Sequence, residues 1–280
     1  MPHNSTPLLE VTDLKIGFSG RDGITPAVRG VSFSLEKGET LAIVGESGSG
    51  KSVTALSITR LLSTPPVVYQ GGSICFQGTN LLTLPEKKLR KFRWGKIAYI
   101  FQEASTSLNP VYSIRSQIAE SLRLHRPEVK DIDAEILRWL EIVGIKNPET
   151  RLRSYPHELS GGMQQRIMIA MALSAQPDLL IADEPTTALD VTIQAQILAK
   201  LHELEQKLGM AMILITHNFA IIRGLAKKVA VMHQGLIVEY GETDQVLRNP
   251  QHPYTKALIA CIPRLDGHLR RLPTINQQNR

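Results

Sequence analysis

Apolar and polar residues alternate in the first part of the chain. Two alternating runs cover residues 9–18 and 31–35, and glycine and proline residues lie between them. A period of two residues is typical of strands with one buried face, and Gly and Pro favour turns between strands. The pattern therefore predicts an antiparallel β-subdomain at the N-terminus.

Continuous apolar runs follow, and they alternate with stretches of helical periodicity. These runs cover residues 40–44, 97–101, 179–182 and 211–215. Short buried strands separated by helices indicate a parallel sheet covered on both faces. The prediction is an α/β fold with a mostly parallel sheet.

The stretch from about residue 104 to 160 interrupts this pattern. Residues 113–124 and 132–143 both have helical periodicity. In the second segment Ile132, Ile136, Leu140 and Val143 fall on one face of a helix. We interpret the stretch as an inserted α-helical subdomain.

The turn between the first apolar run and the next helix has the sequence GESGSGKS. It matches the pattern G-x-x-x-x-G-K-[ST], and a strand before it and a helix after it are the context of a phosphate site. Backbone N–H groups and the helix N-terminus favour phosphate there. The alternative is a glycine-rich turn without a ligand. The predicted nucleotide-binding residues are Gly45, Glu46, Ser47, Gly48, Ser49, Gly50, Lys51 and Ser52.

Individual roles follow from the chemistry of this pattern. Lys51 would reach the β- and γ-phosphates, and the Ser52 hydroxyl would ligate Mg²⁺.

Asp183 and Glu184 directly follow the apolar run 179–182. Ligand sites of parallel sheets lie at the carboxyl ends of strands, so Asp183 suits a Mg²⁺ ligand and Glu184 a general base for water. An isolated carboxylate pair could instead cap the next element.

Composition sets broad limits. The 280 residues suit one large domain or two modest ones, and 42% apolar content is ordinary for a globular core. We expect no membrane span and no export signal, and Cys75 and Cys261 suit free thiols in a reducing cytosol. The net charge of +6 fits nucleic acid or an anionic membrane surface equally well. The basic clusters lack the interleaved aromatic residues of a stacking platform.

Four further segments resemble parts of the ATP-binding cassette (ABC) ATPases. They are LSGGMQQR at residues 159–166, Gln102, TALD at residues 187–190, and His217. They match that family's signature motif, Q-loop, D-loop and switch histidine, in the family's order. The resemblance implies a P-loop NTPase core over residues 1–250, with the helical subdomain at about 104–160, and a C-terminal tail over 251–280.

Three segments narrow the resemblance to the dipeptide, oligopeptide and nickel importer ATPases. They are EASTSLNP at residues 103–110, DEPTTALDVTIQ at 183–194, and NPQHPYT at 249–255. Ala104 departs from the proline usual there. Many members also have a cysteine-rich C-terminal segment, which LRRLPTINQQNR lacks. A metal or iron–sulfur site in the tail is therefore in doubt, and the cargo stays open between peptide and nickel or metallophore.

The resemblance implies roles for the remaining site residues. Ser160, Gly161 and Gly162, with Gln164, would form a second anion site at a helix N-terminus. It would close, head to tail, on the ATP of a second cassette, whose interface Asp190 would bridge. The alternative is a serine N-cap with glycines for close packing. His217 would contact the γ-phosphate, and Gln102 would reach Mg²⁺.

Phe18 is the last candidate of this kind. It resembles the aromatic residue that stacks on adenine in this family, but an aromatic residue at the end of a strand is just as often part of a core.

The function implied is that of an ATP-hydrolysing, energy-coupling importer subunit, peripheral on the cytoplasmic face of the inner (plasma) membrane. Its partners would be a second ABC ATPase, two transmembrane permease subunits and a periplasmic or extracellular substrate-binding protein, with no nucleic acid. A heterodimer is favoured, because the subfamily often uses two different ATPases.

A nickel or metal-chelate importer is the alternative within the subfamily. A soluble ABC ATPase acting on nucleic acid or ribosomes is the alternative outside it, and it is disfavoured because such proteins typically carry two cassettes, coiled coils or zinc modules.

Overall fold

The computed structural model describes residues 6–102, 104–186 and 191–261, with the side chains of residues 104–105, 191–193 and 220 excepted. The chain divides into two compact units. The first comprises Met1–Leu82 with Leu214–Arg280, and the second comprises Thr83–Ile213. Among the helices of the described residues, none has the length and apolar character needed to span a bilayer.

The strands are β1 (Leu9–Gly20), β2 (Gly23–Leu35), β3 (Thr40–Val44), β4 (Val67–Phe76), β5 (Thr79–Asn80), β6 (Ile97–Ile100), β7 (Leu179–Asp183), β8 (Ala211–Thr216), β9 (Lys228–His233) and β10 (Leu236–Glu242). The helices are α1 (Lys51–Ser57), α2 (Glu86–Leu89), α3 (Ala104–Ser107), α4 (Ile114–His125), α5 (Ile132–Ile142), α6 (Gly161–Ser174), α7 (Val191–Leu208), α8 (Phe219–Ile222), α9 (Thr243–Arg248) and α10 (Pro253–Ala260).

An antiparallel sheet in the order β2-β1-β4-β5 belongs to the first unit. Its central strand β1 pairs with β2 and with β4. Val11 and Leu14 are both buried, although strict alternation would place residues three apart on opposite faces. A register shift between them, with Asp13 at φ +46°, returns Leu14 to the buried face. The predicted N-terminal antiparallel subdomain is confirmed.

The first unit also contains neighbouring strands in the order β10-β9-β3. β3 and β9 are parallel, whereas β9 and β10 form an antiparallel hairpin. All five residues of β3 are buried. Val44, Val231, Phe219, Val246 and Tyr254 share one core cluster, which packs α8, α9 and α10 against these strands. The C-terminal helix α10 is thus part of the core of this unit.

The second unit pairs β6 with β7 in parallel and packs α4, α5 and α6 against one another. Trp139 of α5 is 1% exposed, and its indole N–H donates to a Glu135 carboxylate oxygen at 2.8 Å. The Trp94 indole N–H donates to the Ser121 hydroxyl of α4 at 2.8 Å. Trp139 is therefore buried and Trp94 half-buried, while both indole N–H groups stay bonded.

Special backbone conformations shape two elements of the first unit. β4 begins at Val67 and runs through Gly71 and Gly72. A Cβ at Gly72 (φ +90°) would lie 2.5 Å from the Asp13 carbonyl oxygen, so glycine there allows β4 to approach the bulge of β1. α1 ends at Ser57, and Arg60 at φ +53° turns the chain away.

Candidate nucleotide-binding site

The phosphate loop (residues 45–52) lies between β3 and the first turn of α1. A Cβ at Gly45 would collide with the carbonyl oxygen of Met232 on β9. Gly50 has φ +101°, and a Cβ there would lie 2.7 Å from the Ala27 carbonyl oxygen of β2. Glycine is therefore required at both ends of the turn, where neighbouring backbone comes closest.

Hydrogen bonds fix the shape of this loop. The Ser49 N–H donates to the Glu46 carbonyl at 3.2 Å and closes the turn. The Gly235 N–H, from the turn between β9 and β10, donates to the Ser49 carbonyl at 3.0 Å. Glu46, Ser47 and Gly48 are exposed, so a ligand can reach the crest of the loop.

Lys51 is the buried charge of the phosphate loop. Its side chain is 6% exposed, and its ammonium donates to the carbonyl oxygens of Gly45 at 2.8 Å and Glu46 at 2.7 Å. An ammonium makes stronger hydrogen bonds to an anion than to a neutral carbonyl. The site can therefore exchange these two carbonyl contacts for phosphate oxygens. Ser52 follows directly and is half-buried.

The carboxylates stand in the second unit, where β7 ends at Asp183. Glu184 has φ +46°, a conformation that side-chain-bearing residues adopt rarely and that clusters at functional sites. The amide nitrogen of Gln102 donates to a Glu184 carboxylate oxygen at 3.2 Å. The structure thus brings together two of the predicted catalytic side chains.

The proposed Mg²⁺ ligands have suitable chemistry. Mg²⁺ prefers oxygen ligands, which the Ser52 hydroxyl and the Asp183 carboxylate supply. The amide nitrogen of Gln102 is engaged by Glu184, so its amide oxygen is the atom suited to a cation. The residues present therefore fit Mg²⁺ as a cofactor.

The signature segment opens α6, a helix of 14 residues. Ser160 stands at its N-cap without a side-chain capping bond, and both Ser160 and Gly161 are exposed, while Gly162 is half-buried. The Gln164 amide donates to the carbonyl oxygens of Pro156 at 2.7 Å and Leu159 at 3.2 Å, and so fixes the chain that leads into the helix. The result is an accessible helix N-terminus of the kind that binds anions.

One residue of this segment was overlooked as a functional candidate. Gln165 is 4% exposed, and its side-chain amide donates to the carbonyl oxygen of Pro185, the residue after Glu184. The bond ties the signature helix to the segment that carries the predicted general base. Gln165 stands between two other polar residues, Gln164 and Arg166, so the sequence did not single it out.

The remaining predicted residues lie on other segments of the chain. His217 is exposed and directly follows β8. Phe18 is half-buried in β1, opposite Thr25 of β2 and Val67 of β4. Asp190, with residues 187–189, lies outside the described residues.

A glycine-rich loop between a buried strand and a helix, with a buried lysine folded across it, defines a P-loop nucleotide-binding protein. Solved structures have the same fold. The ATP-binding cassette MJ0796, a dimer in a post-hydrolysis state bound to ADP and Pi, superposes with a TM-score of 0.75 at 24% identity over 84% of this chain and 98% of that chain. The structure of cbiO1 from Clostridium perfringens, part of the ABC transporter complex cbiONQ, superposes with a TM-score of 0.73 at 27% identity. The match covers 88% of this chain and 92% of that chain. The predicted α/β P-loop NTPase fold is confirmed.

Sequence comparison gives the family. Residues 28–187 match the ABC transporter family, and residues 238–280 match the oligopeptide/dipeptide transporter C-terminal region. The oligopeptide transport ATP-binding protein OppD of Bacillus subtilis is 50% identical over 94% of this chain and 74% of its own length. The dipeptide transport ATP-binding protein DppD of the same organism is 48% identical over 92% of this chain and 78% of its own length. The peptidoglycan transport ATP-binding protein YejF of Agrobacterium fabrum is 52% identical over 93% of this chain, which spans only 48% of that relative.

The chain belongs to the ABC transporter family. It is an ATPase of the transport-coupled kind, and the resemblance inferred from the phosphate loop, signature segment and tail is confirmed.

Proposed function

We propose that this chain is the ATP-hydrolysing subunit of an importer for dipeptides or oligopeptides. The observation that carries this proposal is the match of residues 238–280 to the oligopeptide/dipeptide transporter C-terminal region, directly after an ATP-binding cassette. Relatives at 48–50% identity bear the names of oligopeptide and dipeptide transport proteins. A nickel or metal-chelate cargo has no comparable support.

The catalytic roles follow from the chemistry of the side chains. Lys51 binds the terminal phosphates. Ser52 and Asp183 would hold Mg²⁺, which when bound would supply positive charge at the phosphates. Glu184 accepts a proton from the attacking water. Gln102 orients the Glu184 carboxylate through the hydrogen bond of 3.2 Å, and its amide oxygen would be available to the cation.

The second anion site serves a partner cassette. Ser160 and Gly161 are exposed at the N-terminus of α6, where their hydroxyl and N–H groups are accessible to a phosphate of another chain. The cassette MJ0796 is dimeric in its solved structure. We propose a head-to-tail dimer with a second, different ATPase subunit, in which Asp190 bridges the interface and His217 contacts the γ-phosphate.

The second unit supplies a surface for the membrane partners. Val111 is 72% exposed, Tyr112 56% and Leu124 67%, just before and near the end of α4 in the helical subdomain. Large apolar side chains with this exposure favour contact with another protein. We propose that they dock on two permease subunits at the cytoplasmic face of the inner membrane, which receive peptide from an external binding protein.

Reconstitution tests the proposal. The chain is co-expressed with its co-purifying ATPase and permease subunits, the complex is placed in proteoliposomes with its binding protein, and uptake of labelled di- to pentapeptides is measured with ATP. We expect peptide uptake that Lys51→Ala abolishes, and no uptake of ⁶³Ni²⁺. Nickel uptake without peptide uptake would refute the peptide assignment, and neither uptake with any co-purifying permease would refute the transport role.

A further inference from the structure

The C-terminal helix reaches the phosphate loop through one side chain. The backbone N–H of Glu46 donates to the hydroxyl oxygen of Tyr254 at 3.0 Å, across 208 positions in the chain. Tyr254 is the second residue of α10 and is 8% exposed. A residue of the C-terminal segment is thereby in direct contact with the loop that binds phosphate.

This contact holds one edge of a single peptide plane. The plane joining Gly45 to Glu46 has its N–H on Tyr254 at 3.0 Å, whereas its carbonyl oxygen accepts from the Lys51 ammonium at 2.8 Å. These two hydrogen bonds, one at the N–H and one at the carbonyl oxygen, fix the orientation of the peptide plane at the start of the loop. When Lys51 turns towards phosphate, the bond to the Tyr254 hydroxyl still holds this plane.

Tyr254 is itself held from several sides. Its ring lies against the His233 ring, with centroids 3.9 Å apart and planes tilted by 30°. The ring also packs in the core cluster with Val44, the last residue of β3. The tyrosine therefore presents its hydroxyl from a rigid position, as a group that orients a loop should.

The start of α10 has a separate anchor on β10. The Glu239 carboxylate accepts from the backbone N–H of Gln251 at 2.7 Å and of His252 at 3.0 Å. The His252 imidazole in turn accepts from the Tyr254 N–H at 3.2 Å. Since Tyr254 lies only two residues beyond His252, this anchor also fixes where its side chain begins.

We infer that Tyr254 is a positioning residue for nucleotide binding. Its hydroxyl keeps the Gly45–Glu46 peptide in the orientation that the loop needs, while Lys51 is released to the phosphates. The inference rests on the proposed function and gives the C-terminal segment a role at the ATP site.

Tyr254→Phe removes the hydroxyl and retains the ring, so the packing on His233 and Val44 stays. The Glu46 N–H then lacks its acceptor. We expect the affinity for a fluorescent ATP analogue to fall about 2- to 10-fold, as for one neutral hydrogen bond. In ATPase assays of the complex, KM for ATP should rise by a similar factor while kcat changes little, because Tyr254 acts through the loop and does not touch the reacting atoms.

Tyr240→Phe is the matched control. Tyr240 lies in the same unit, and its hydroxyl donates to the Ser34 carbonyl at 3.3 Å, on the antiparallel sheet. The same chemical change there should leave ATP affinity unaltered. Equal ATP affinity in Tyr254→Phe, Tyr240→Phe and wild type would overturn the inference, as would equal losses in both variants.

Hydrogen exchange in the wild-type chain provides a test that does not depend on folding of a variant. The Glu46 amide should stay protected both without nucleotide and with Mg·ATP, and rapid exchange with Mg·ATP would overturn the positioning role. A wild-type chain that binds no ATP would instead refute the proposed function. One that binds ATP without supporting peptide uptake would refute only the transport assignment.

Discussion

The anchor of α10 on β10 makes a prediction with a defined size. In Glu239→Gln, the carboxylate that accepts two backbone N–H groups becomes a neutral amide with a single acceptor oxygen. Hydrogen bonds to a charged acceptor contribute about 1.5–3 kcal/mol each, and neutral ones about 0.5–1.5 kcal/mol. Because Glu239 is half-buried, water offsets part of this difference. We expect the free energy that favours docking of α10 on β10 to fall by about 1–3 kcal/mol.

Native-state hydrogen exchange measures this loss directly. The amides of Gln251, His252 and the first turn of α10 should exchange about 5- to 150-fold faster in Glu239→Gln, as follows from that free energy. Glu242→Gln makes the same change of charge on the same strand, at a residue with no such bond to α10 in the described part of the chain, and should leave these amides protected. Unchanged exchange in Glu239→Gln would refute the anchor.

The same contact predicts a pH dependence. Burial of the Glu239 carboxyl raises its pKa, but the hydrogen bond from the Thr255 side chain and those from the backbone N–H groups of Gln251 and His252 outweigh burial, so the pKa lies below its ordinary value of 4.5. A carboxyl with a lowered folded-state pKa stabilises the fold fully above its ordinary pKa, and this contribution is lost as the pH falls through the folded-state pKa. Protection of α10 should therefore decline below about pH 4.5 in the wild type, and less steeply in Glu239→Gln.

Three further substitutions test the site. Lys51→Ala removes a charged phosphate ligand and should weaken binding of a fluorescent ATP analogue about 10- to 100-fold, whereas undiminished affinity would contradict its role. Gln165→Leu leaves the Pro185 carbonyl without its buried donor, and urea denaturation should show a loss of about 1–3 kcal/mol; no loss would mean that this bond does not hold the segment after Glu184. Glu184→Gln should retain ATP affinity and slow phosphate release about 10²- to 10⁴-fold, and full turnover would refute the general base.

Local pattern was sufficient for most elements that surround the phosphate loop. β3 has the bounds that its apolar run predicts, and β7 begins at Leu179 as its apolar run predicts. Such elements are predictable because their signal lies within a few adjacent residues: a run of apolar side chains, or a glycine at a turn.

The features that were not predicted depend on contacts between distant parts of the chain. The bulge at Asp13 lies where Gly72 of β4 approaches the backbone of β1 closely. Neither residue alone indicates this contact in the sequence. The bond between Tyr254 and Glu46 joins residues 208 positions apart, and a tyrosine in a helix has the same local pattern whether or not its hydroxyl reaches a loop. Gln165 lies among polar neighbours, and nothing in the local sequence indicates that its side chain is buried against Pro185.

The central claim is that ATP is held between two cassettes, with the exposed Ser160 loop of one chain on the nucleotide of the other. Sedimentation velocity of Glu184→Gln tests it most directly, alone and with the co-purifying ATPase. The account predicts that Mg·ATP, and not Mg·ADP, converts monomers into a dimer, and that Ser160→Arg prevents this by steric and electrostatic mismatch. A chain that stays monomeric with Mg·ATP in both conditions, while it binds the nucleotide, would contradict the account.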